Sequence, residues 1–142
     1  MTTPPIEADR WLTTPQAVAA GLAGAAAHLA LIALLPHGRA VQAVALGVAL
    51  CYGIYLGFAM TRGTPPELLI ELAFVCAGVA LACLGLWHDP RWLALAWALH
   101  GGWDLLHHRD HHVLGTRGVP RWYVPACAAF DFPVALSILL VL

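Results

Sequence analysis

The hydrophobic residues of this chain fall into long apolar runs separated by short polar segments. The runs cover about residues 15–35, 40–60, 66–87, 90–107 and 121–142. At about 1.5 Å per residue, each run is long enough, or nearly so, to cross roughly 30 Å of membrane hydrocarbon. The pattern predicts an all-α polytopic membrane bundle of five transmembrane helices, forming one domain over residues 1–142.

The polar segments contain signals for helix starts. Thr14-Pro15 offers an N-cap followed by proline at the first helical position, and Asp89-Pro90 offers the same pair. Thr64 and Glu67 have the spacing of a capping box. Between the first two runs, Pro36-His37-Gly38-Arg39 predicts a tight turn.

Composition agrees with the hydrophobic pattern. The chain is 61% hydrophobic and 11% charged, whereas an average soluble domain has about 25% charged residues. It has no basic tract, which argues against nucleic-acid binding. The residues before the first run lack the basic region of a signal peptide, so we expect that run to be retained as a membrane helix.

The arginines predict the orientation of the bundle. Five predicted transmembrane helices put the two termini on opposite sides, and five of the seven arginines lie on the N-terminal side. An excess of basic residues marks the cytoplasmic side. We therefore expect a cytoplasmic N-terminus in a bacterial inner membrane protein. The five are Arg10, Arg62, Arg109, Arg117 and Arg121, against Arg39 and Arg91.

Ionisable residues are concentrated near the fourth run. Residues 100–112 read HGGWDLLHHRDHH, which contains five of the eight histidines and two aspartates. Glu71, His100, Asp104 and Asp131 lie at depths that allow one shared cavity open to the cytoplasm, whereas His28 lies past the middle of the first run. Ionisable groups inside a membrane usually face a partner or a wet cavity, so these residues are functional candidates.

Helical phase divides the histidine-rich stretch. At about 100° per residue, Asp104 lies about 40° from His100, His107 about 20°, and His111 about 20° if the helix continues. These four residues would share one face, and their spacing suits metal ligation. The same spacing suits a histidine held by an aspartate as an acid–base pair. His108 and His112 lie outside this face and are expected at the polar rim.

Two further features mark the predicted site. Pro133 follows Asp131 by two residues and removes a hydrogen bond to the Ala129 carbonyl, which predicts a kink beside a buried carboxylate. The aromatic residues Trp97, Trp103 and Tyr55 are candidate walls of an apolar substrate pocket. The simpler interpretation of the two tryptophans is that they are core or interfacial aromatics.

Two resemblances involve the same stretch. His108, His111 and His112 match one HxxHH box of the membrane di-iron desaturases and hydroxylases, a family whose pattern needs several such boxes; this chain supplies one. The chain also resembles a small family of uncharacterised bacterial integral membrane proteins with the pattern H-x-x-W-D-x-x-H-H, then F-D. The matching residues are His100, Trp103, Asp104, His107 and His108, then Phe130 and Asp131. This resemblance implies a membrane protein and no particular activity.

Our leading hypothesis is a membrane enzyme acting on a lipid or isoprenoid-like substrate. In its metal form, His100, Asp104 and His107, joined by His111 if the helix continues, would ligate Zn²⁺ or Fe²⁺, with Glu71 or Asp131 as a further ligand or base. Such a centre suits a hydrolase or an oxygenase. In its metal-free form, the acid of Asp131 or Glu71 would protonate an alkene or epoxide, in the manner of small membrane isomerases and terpenoid cyclases. Glu71, Asp104 and Asp131 are the catalytic candidates.

Two other classes of function fit the sequence. A transporter subunit carrying protons or a transition metal would use ionisable groups at graded depths, but only His28 marks the outer half of the membrane. A structural subunit of a larger membrane complex would suit the small size of the chain. Membrane lipids and a hydrophobic small molecule are the expected partners, with homo-oligomers also possible.

Overall fold

The computed structural model describes residues 12–107 and 119–142. Within these residues the chain forms five α-helices and no strand. The helices are α1 (Thr14–Leu34), α2 (His37–Arg62), α3 (Pro65–Trp87), α4 (Arg91–His107) and α5 (Tyr123–Val141). The all-α fold class is confirmed, and each predicted run coincides with one helix.

The helix starts follow local capping chemistry. In α3 the Thr64 backbone N–H donates to the Glu67 carboxylate, which confirms the predicted capping box. At the start of α4, Asp89 Oδ1 accepts from the Arg91 N–H at 2.9 Å. The N-cap of α1 is Thr13 rather than the predicted Thr14, because the side chain of Gln16 reaches back to the Thr13 backbone N–H.

The predicted turn over residues 36–39 is wrong, since α2 already begins at His37. Pro36 is the N-cap, and its carbonyl accepts from the N–H groups of Arg39 at 2.8 Å and Ala40 at 3.0 Å. Proline lacks a backbone N–H, so Pro36 adds no unpaired donor of its own at the start of the helix. The chain therefore reverses at Leu35 and Pro36, and Gly38 is an ordinary helical residue.

Among the described helices, α1, α2, α3 and α5 are long and apolar enough to cross a membrane. Large apolar side chains face outward, as in Leu34, which is 85% exposed, and Trp87 and Leu140, each 76% exposed. These features are those of a multi-pass membrane protein. Helix α4 has 17 residues, or about 26 Å, so its role as a fifth span remains a prediction, as does the orientation.

Consecutive helices run in opposite directions, which gives the bundle two ends. We call the end where α1, α3 and α5 begin the proximal end, and the opposite one the distal end. Helix α4 contacts α2, α3 and α5, while α1 packs on α5 and α2. Helix α1 packs closely on α5 at Gly21, where a Cβ would overlap the Ala126 carbonyl oxygen of α5. Helix α4 is thus the element on which partners from three helices converge.

Candidate functional site

One face of α4 brings three polar side chains into the interior of the bundle. His100 and Asp104 are each 0% exposed and His107 is 3% exposed. Their spacing of four and three residues puts them on one side of a helix, as the helical phase predicted. Each of these side chains meets a partner from a neighbouring helix, and the partners divide the site into two clusters.

The inner cluster consists of His100, Asp104, Asp131 and Tyr55. His100 Nδ1 lies 2.6 Å from Asp131 Oδ2 and 3.6 Å from Asp104 Oδ2. Asp131 comes from α5, which approaches α4 closely at Gly101: a Cβ there would lie 3.2 Å from the Asp131 Cβ. The small residue therefore lets the second carboxylate reach the imidazole.

Helix α2 contributes two buried tyrosines, three residues apart, that both donate to α4. The Tyr55 hydroxyl donates to Asp104 Oδ1 at 2.6 Å, and the Tyr52 hydroxyl donates to the Ala96 backbone carbonyl at 2.8 Å. Each tyrosine is 1% exposed. The two hydroxyls therefore differ in their acceptors. Tyr55 orients an ionisable side chain of the inner cluster, whereas Tyr52 binds only the α4 backbone.

Two buried atoms of the inner cluster have no hydrogen-bond partner among the described residues: Asp104 Oδ2 and His100 Nε2. Buried polar atoms in folded proteins are nearly always paired, so an unpaired carboxylate oxygen in an apolar interior needs an explanation. One ligand atom each from His100, Asp104 and Asp131 lies within 4.8 Å of the other two. The cluster thus has the residue types and the convergence of a metal site.

The outer cluster consists of Glu71, Trp103 and His107, and it lies toward the proximal end. Glu71 of α3 accepts from Trp103 Nε1 at 3.2 Å through Oε2, and its Oε1 lies 3.1 Å from His107 Nε2. The other ring nitrogen of His107 lies 2.9 Å from the Trp103 carbonyl oxygen. The indole of Trp103 stacks on Phe74 at 4.1 Å, which fixes its N–H toward Glu71. In this cluster every polar side-chain atom has a partner.

A pocket at the proximal end reaches both clusters. It is lined by Tyr55, Phe58, Ala59, Gly63, Glu67, Glu71 and Val119. Tyr55 belongs to the inner cluster and Glu71 to the outer one. The Tyr55 ring also lies 4.5 Å from the His107 ring. Tyr55 is therefore the wall between the pocket and the inner cluster.

The structure sorts the predicted site residues. His100, Asp104 and Asp131 are brought together, whereas His107 is paired with Glu71 instead of joining them. Tyr55 lines the pocket at the proximal end. His111, with His108 and His112, lies outside the described residues.

The two tryptophans have different surroundings. Trp97 is buried against His28, at 5.9 Å, and Phe130, at 5.4 Å, in the core rather than along the described pocket. Its simpler interpretation as a core aromatic therefore fits. His28 Nε2 makes no hydrogen bond to any described residue. Trp103 binds Glu71, a role that the sequence did not suggest.

Sequence reasoning also missed Tyr55 as a donor to Asp104 and Tyr52 as its neighbour. The available signal was the pair of tyrosines at a spacing of three in an otherwise apolar helix. A buried tyrosine hydroxyl needs a hydrogen-bond acceptor, and acceptors are scarce inside a membrane bundle. That reasoning points to the carboxylates, but it does not say which one.

Comparison with known families gives one match. A family of unknown function (DUF6010) matches residues 16–141. The chain belongs to this family. The match leaves out residues 1–15 and the last residue of the chain, so both clusters lie within it. No curated protein and no solved structure matches the chain. Membership of an uncharacterised family was predicted, and it assigns no activity.

Proposed function

We propose that this protein is a membrane-embedded, metal-dependent enzyme that acts on a lipid or isoprenoid-like substrate. Its inner cluster would bind one divalent ion, Zn²⁺ or Fe²⁺, through His100, Asp104 and Asp131. The observation that supports this is the convergence of one imidazole and two carboxylates, from two helices, in an apolar interior. Glu71 and His107 are outside this proposed ligand set.

The charge of the inner cluster favours a divalent cation. Two ionised carboxylates beside a neutral imidazole carry a charge of −2, which is unfavourable in an apolar interior unless it is compensated. A divalent ion compensates both carboxylates at once. One imidazole nitrogen with two carboxylate oxygens is a mixed donor set that suits Zn²⁺ or Fe²⁺.

The spacing of the donor atoms also fits. Ligand atoms at about 2.0–2.2 Å from a tetrahedral ion lie roughly 3.3 Å from each other. The 3.6 Å separation of His100 Nδ1 and Asp104 Oδ2 is close to this value. The 2.6 Å separation of His100 Nδ1 and Asp131 Oδ2 is a hydrogen bond, which would open by under about 1 Å when the ion replaces the proton.

The chain's own residues would hold the reacting groups in place. A bound divalent ion with an open position supplies Lewis acidity and activates water or oxygen, which suits a hydrolase or an oxygenase. Tyr55 orients Asp104, and the apolar packing around His100 excludes bulk water. A substrate would approach with a single oxygen group at the pocket between Tyr55 and Glu71, whose open volume of about 10 Å³ is that of about one water molecule. The arginine distribution supports the further proposal that the proximal end faces the cytoplasm, in a bacterial inner membrane.

Elemental analysis of protein purified without a histidine tag tests the metal proposal. We expect about one zinc or iron ion per chain, and we expect His100→Ala to lose it. His37→Ala is the matched control, because His37 is an exposed histidine at the distal end. Wild-type protein that stays metal-free after incubation with both ions would contradict the proposal.

A second assay addresses the enzyme itself. The metal-loaded protein is incubated with a total bacterial lipid extract under air, and the lipids are compared by mass spectrometry. We expect one lipid species to change in a way that requires the metal and is lost in His100→Ala. A metal-bound protein that changes no lipid, but drives metal or proton flux in reconstituted vesicles, would instead indicate a transporter.

A further inference from the structure

The hydrogen bonds of the outer cluster fix how many protons it holds. His107 Nδ1 lies 2.9 Å from the Trp103 carbonyl oxygen, and His107 Nε2 lies 3.1 Å from Glu71 Oε1. A carbonyl oxygen only accepts hydrogen bonds, so Nδ1 must carry a hydrogen. A neutral imidazole has one N–H, which leaves a lone pair on Nε2.

An ionised Glu71 cannot satisfy that lone pair, because a carboxylate oxygen is also only an acceptor. Two acceptors at 3.1 Å would repel each other in a buried site. One further proton removes the conflict. It sits either on Nε2, making an imidazolium, or on Oε1, making a carboxylic acid, and Trp103 can donate to Oε2 in both cases.

We propose that Glu71 and His107 share one proton between Oε1 and Nε2, and that this pair is the acid that serves the pocket. The ligand would be a molecule that presents an oxygen acceptor, such as a carbonyl or an ester, at the proximal end. Glu71 is 5% exposed and lines the pocket, whose open volume of about 10 Å³ admits one water-sized group, so its carboxyl is the group that a ligand oxygen would meet there. The proposal does not depend on the metal centre.

The transfer is balanced within the pair and the ligand. The shared proton moves to the ligand oxygen, and the pair is left as an ionised Glu71 and a neutral His107 with its hydrogen on Nδ1. A new O–H bond forms as the bond to Oε1 or Nε2 breaks. Two acceptors then face each other at 3.1 Å, so the pair takes the proton back from the ligand oxygen, and no other reactant is needed.

The groups around the pair are accounted for on each neighbouring helix. From α2, Tyr55 directs its hydroxyl to Asp104 and presents its ring to His107. From α5, Tyr123 packs on the Tyr55 ring at 5.9 Å. Glu67 of α3 lines the pocket and caps the Thr64 N–H. His100 of α4 belongs to the inner cluster. Among the described contacts, Tyr55, Tyr123 and His100 make no hydrogen bond to Glu71 Oε1 or His107 Nε2.

Nitrogen NMR of the full chain with labelled histidine tests the proton count, together with infrared detection of protonated carboxyl groups. From the hydrogen-bond geometry we expect either a doubly protonated His107 ring or a protonated Glu71 carboxyl. An ionised Glu71 beside a His107 ring with an unprotonated Nε2 would overturn the proposal. The wild-type protein alone decides this point.

The variant Glu71→Gln identifies the signal. A glutamine amide can donate to His107 Nε2 and accept from Trp103 Nε1, so the geometry is kept while the shared proton is lost. We expect the signal to disappear while bound metal stays unchanged. Trp103→Phe keeps Glu71 and His107, and it is expected to keep the signal. A signal that survives Glu71→Gln would also overturn the proposal.

A hydrophobic carbodiimide tests whether the proton faces the pocket. This reagent takes up the proton of a carboxylic acid as the carboxylate oxygen adds to its central carbon, so it labels protonated carboxyls that it can reach. Mass spectrometry should find the label on Glu71 and not on Asp131, which is 1% exposed. We expect Ala59→Trp, which fills the pocket, to reduce labelling at least several-fold. Unlabelled Glu71 in the wild type would contradict its role as the acid of the pocket, even where the shared proton is present.

Discussion

The two clusters contain similar residues but differ in how their hydrogen bonds are completed. In the outer cluster, one carboxylate meets two nitrogen groups, and each of its oxygens has a partner. In the inner cluster, two carboxylates share the Tyr55 hydroxyl and the His100 ring, and Asp104 Oδ2 has no described partner. Carboxylate oxygens that lack hydrogen-bond donors favour the binding of a cation. A cluster in which every polar atom has a hydrogen-bond partner favours the retention of a proton.

The histidines show the same contrast. His107 has both ring nitrogens in hydrogen-bond contact, whereas His100 has only Nδ1 so engaged among the described residues. The two histidines lie seven residues apart on one helix, but we expect His100 to bind a metal ion and His107 to retain a proton. Substitutions in one cluster are therefore expected to leave the chemistry of the other cluster intact.

The largest expected effect is at Asp131. Asp131→Asn keeps the size of the side chain but removes a charged ligand, so metal affinity should fall by more than the roughly 10–100-fold typical of residues that only support a ligand. Glu71→Gln is the matched change in the outer cluster and should leave affinity within a few-fold of the wild type. Competition titration with a metal indicator measures both. Equal losses in the two variants would remove the distinction between the clusters.

An intermediate effect is expected at Tyr55, which supports a ligand without being one. Tyr55→Phe should weaken metal binding by about 10–100-fold, because Asp104 loses the donor that orients it. Tyr52→Phe is the control on the same helix, since its hydroxyl donates to a backbone carbonyl. Both variants should lose thermal stability, each by about 0.5–1.5 kcal/mol. If both weaken metal binding equally, the effect comes from packing.

A smaller effect is expected at Trp103. Trp103→Phe keeps an aromatic ring to stack on Phe74 but removes the donor to Glu71 Oε2. The free energy of unfolding should fall by about 0.5–1.5 kcal/mol, with metal affinity unchanged. Denaturation in detergent, followed by circular dichroism, measures the first quantity. A loss of bound metal would show that the outer cluster supports the inner one.

The smallest effect is expected for the exposed histidines of the distal end. His37→Gln and His88→Gln should change stability by less than about 0.5 kcal/mol and leave metal content unchanged, because both side chains are exposed and far from the clusters. Thermal denaturation and elemental analysis check this. A drop in bound metal would indicate a further metal site that includes one of these two histidines.

Local patterns were enough to predict most of the fold. Long apolar runs and capping signals such as Thr64 with Glu67 depend on residues close in sequence, so the helices and their approximate ends could be predicted. The exception was the start of α2, where Pro36 permits a shorter reversal than the Gly38-containing turn suggested. Depth in the membrane also placed Glu71, His100, Asp104 and Asp131 near one another.

Pairing between helices could not be predicted in the same way. Helical phase showed that His100 and His107 share a face, but not which neighbour each one meets. That depends on packing: α5 approaches at Gly101 and brings Asp131 to His100, while α3 brings Glu71 to His107. The sequence therefore predicted one ligand set with both histidines, and the structure separates them.

X-ray absorption of the metal-loaded wild-type protein tests this separation most directly. The fine structure of the absorption edge distinguishes one coordinated imidazole from two. We expect one imidazole with oxygen ligands at about 2.0–2.2 Å, as His100, Asp104 and Asp131 would provide. Two coordinated imidazoles would place a second histidine in the metal site, and would contradict the division into a metal-binding inner cluster and a proton-holding outer one.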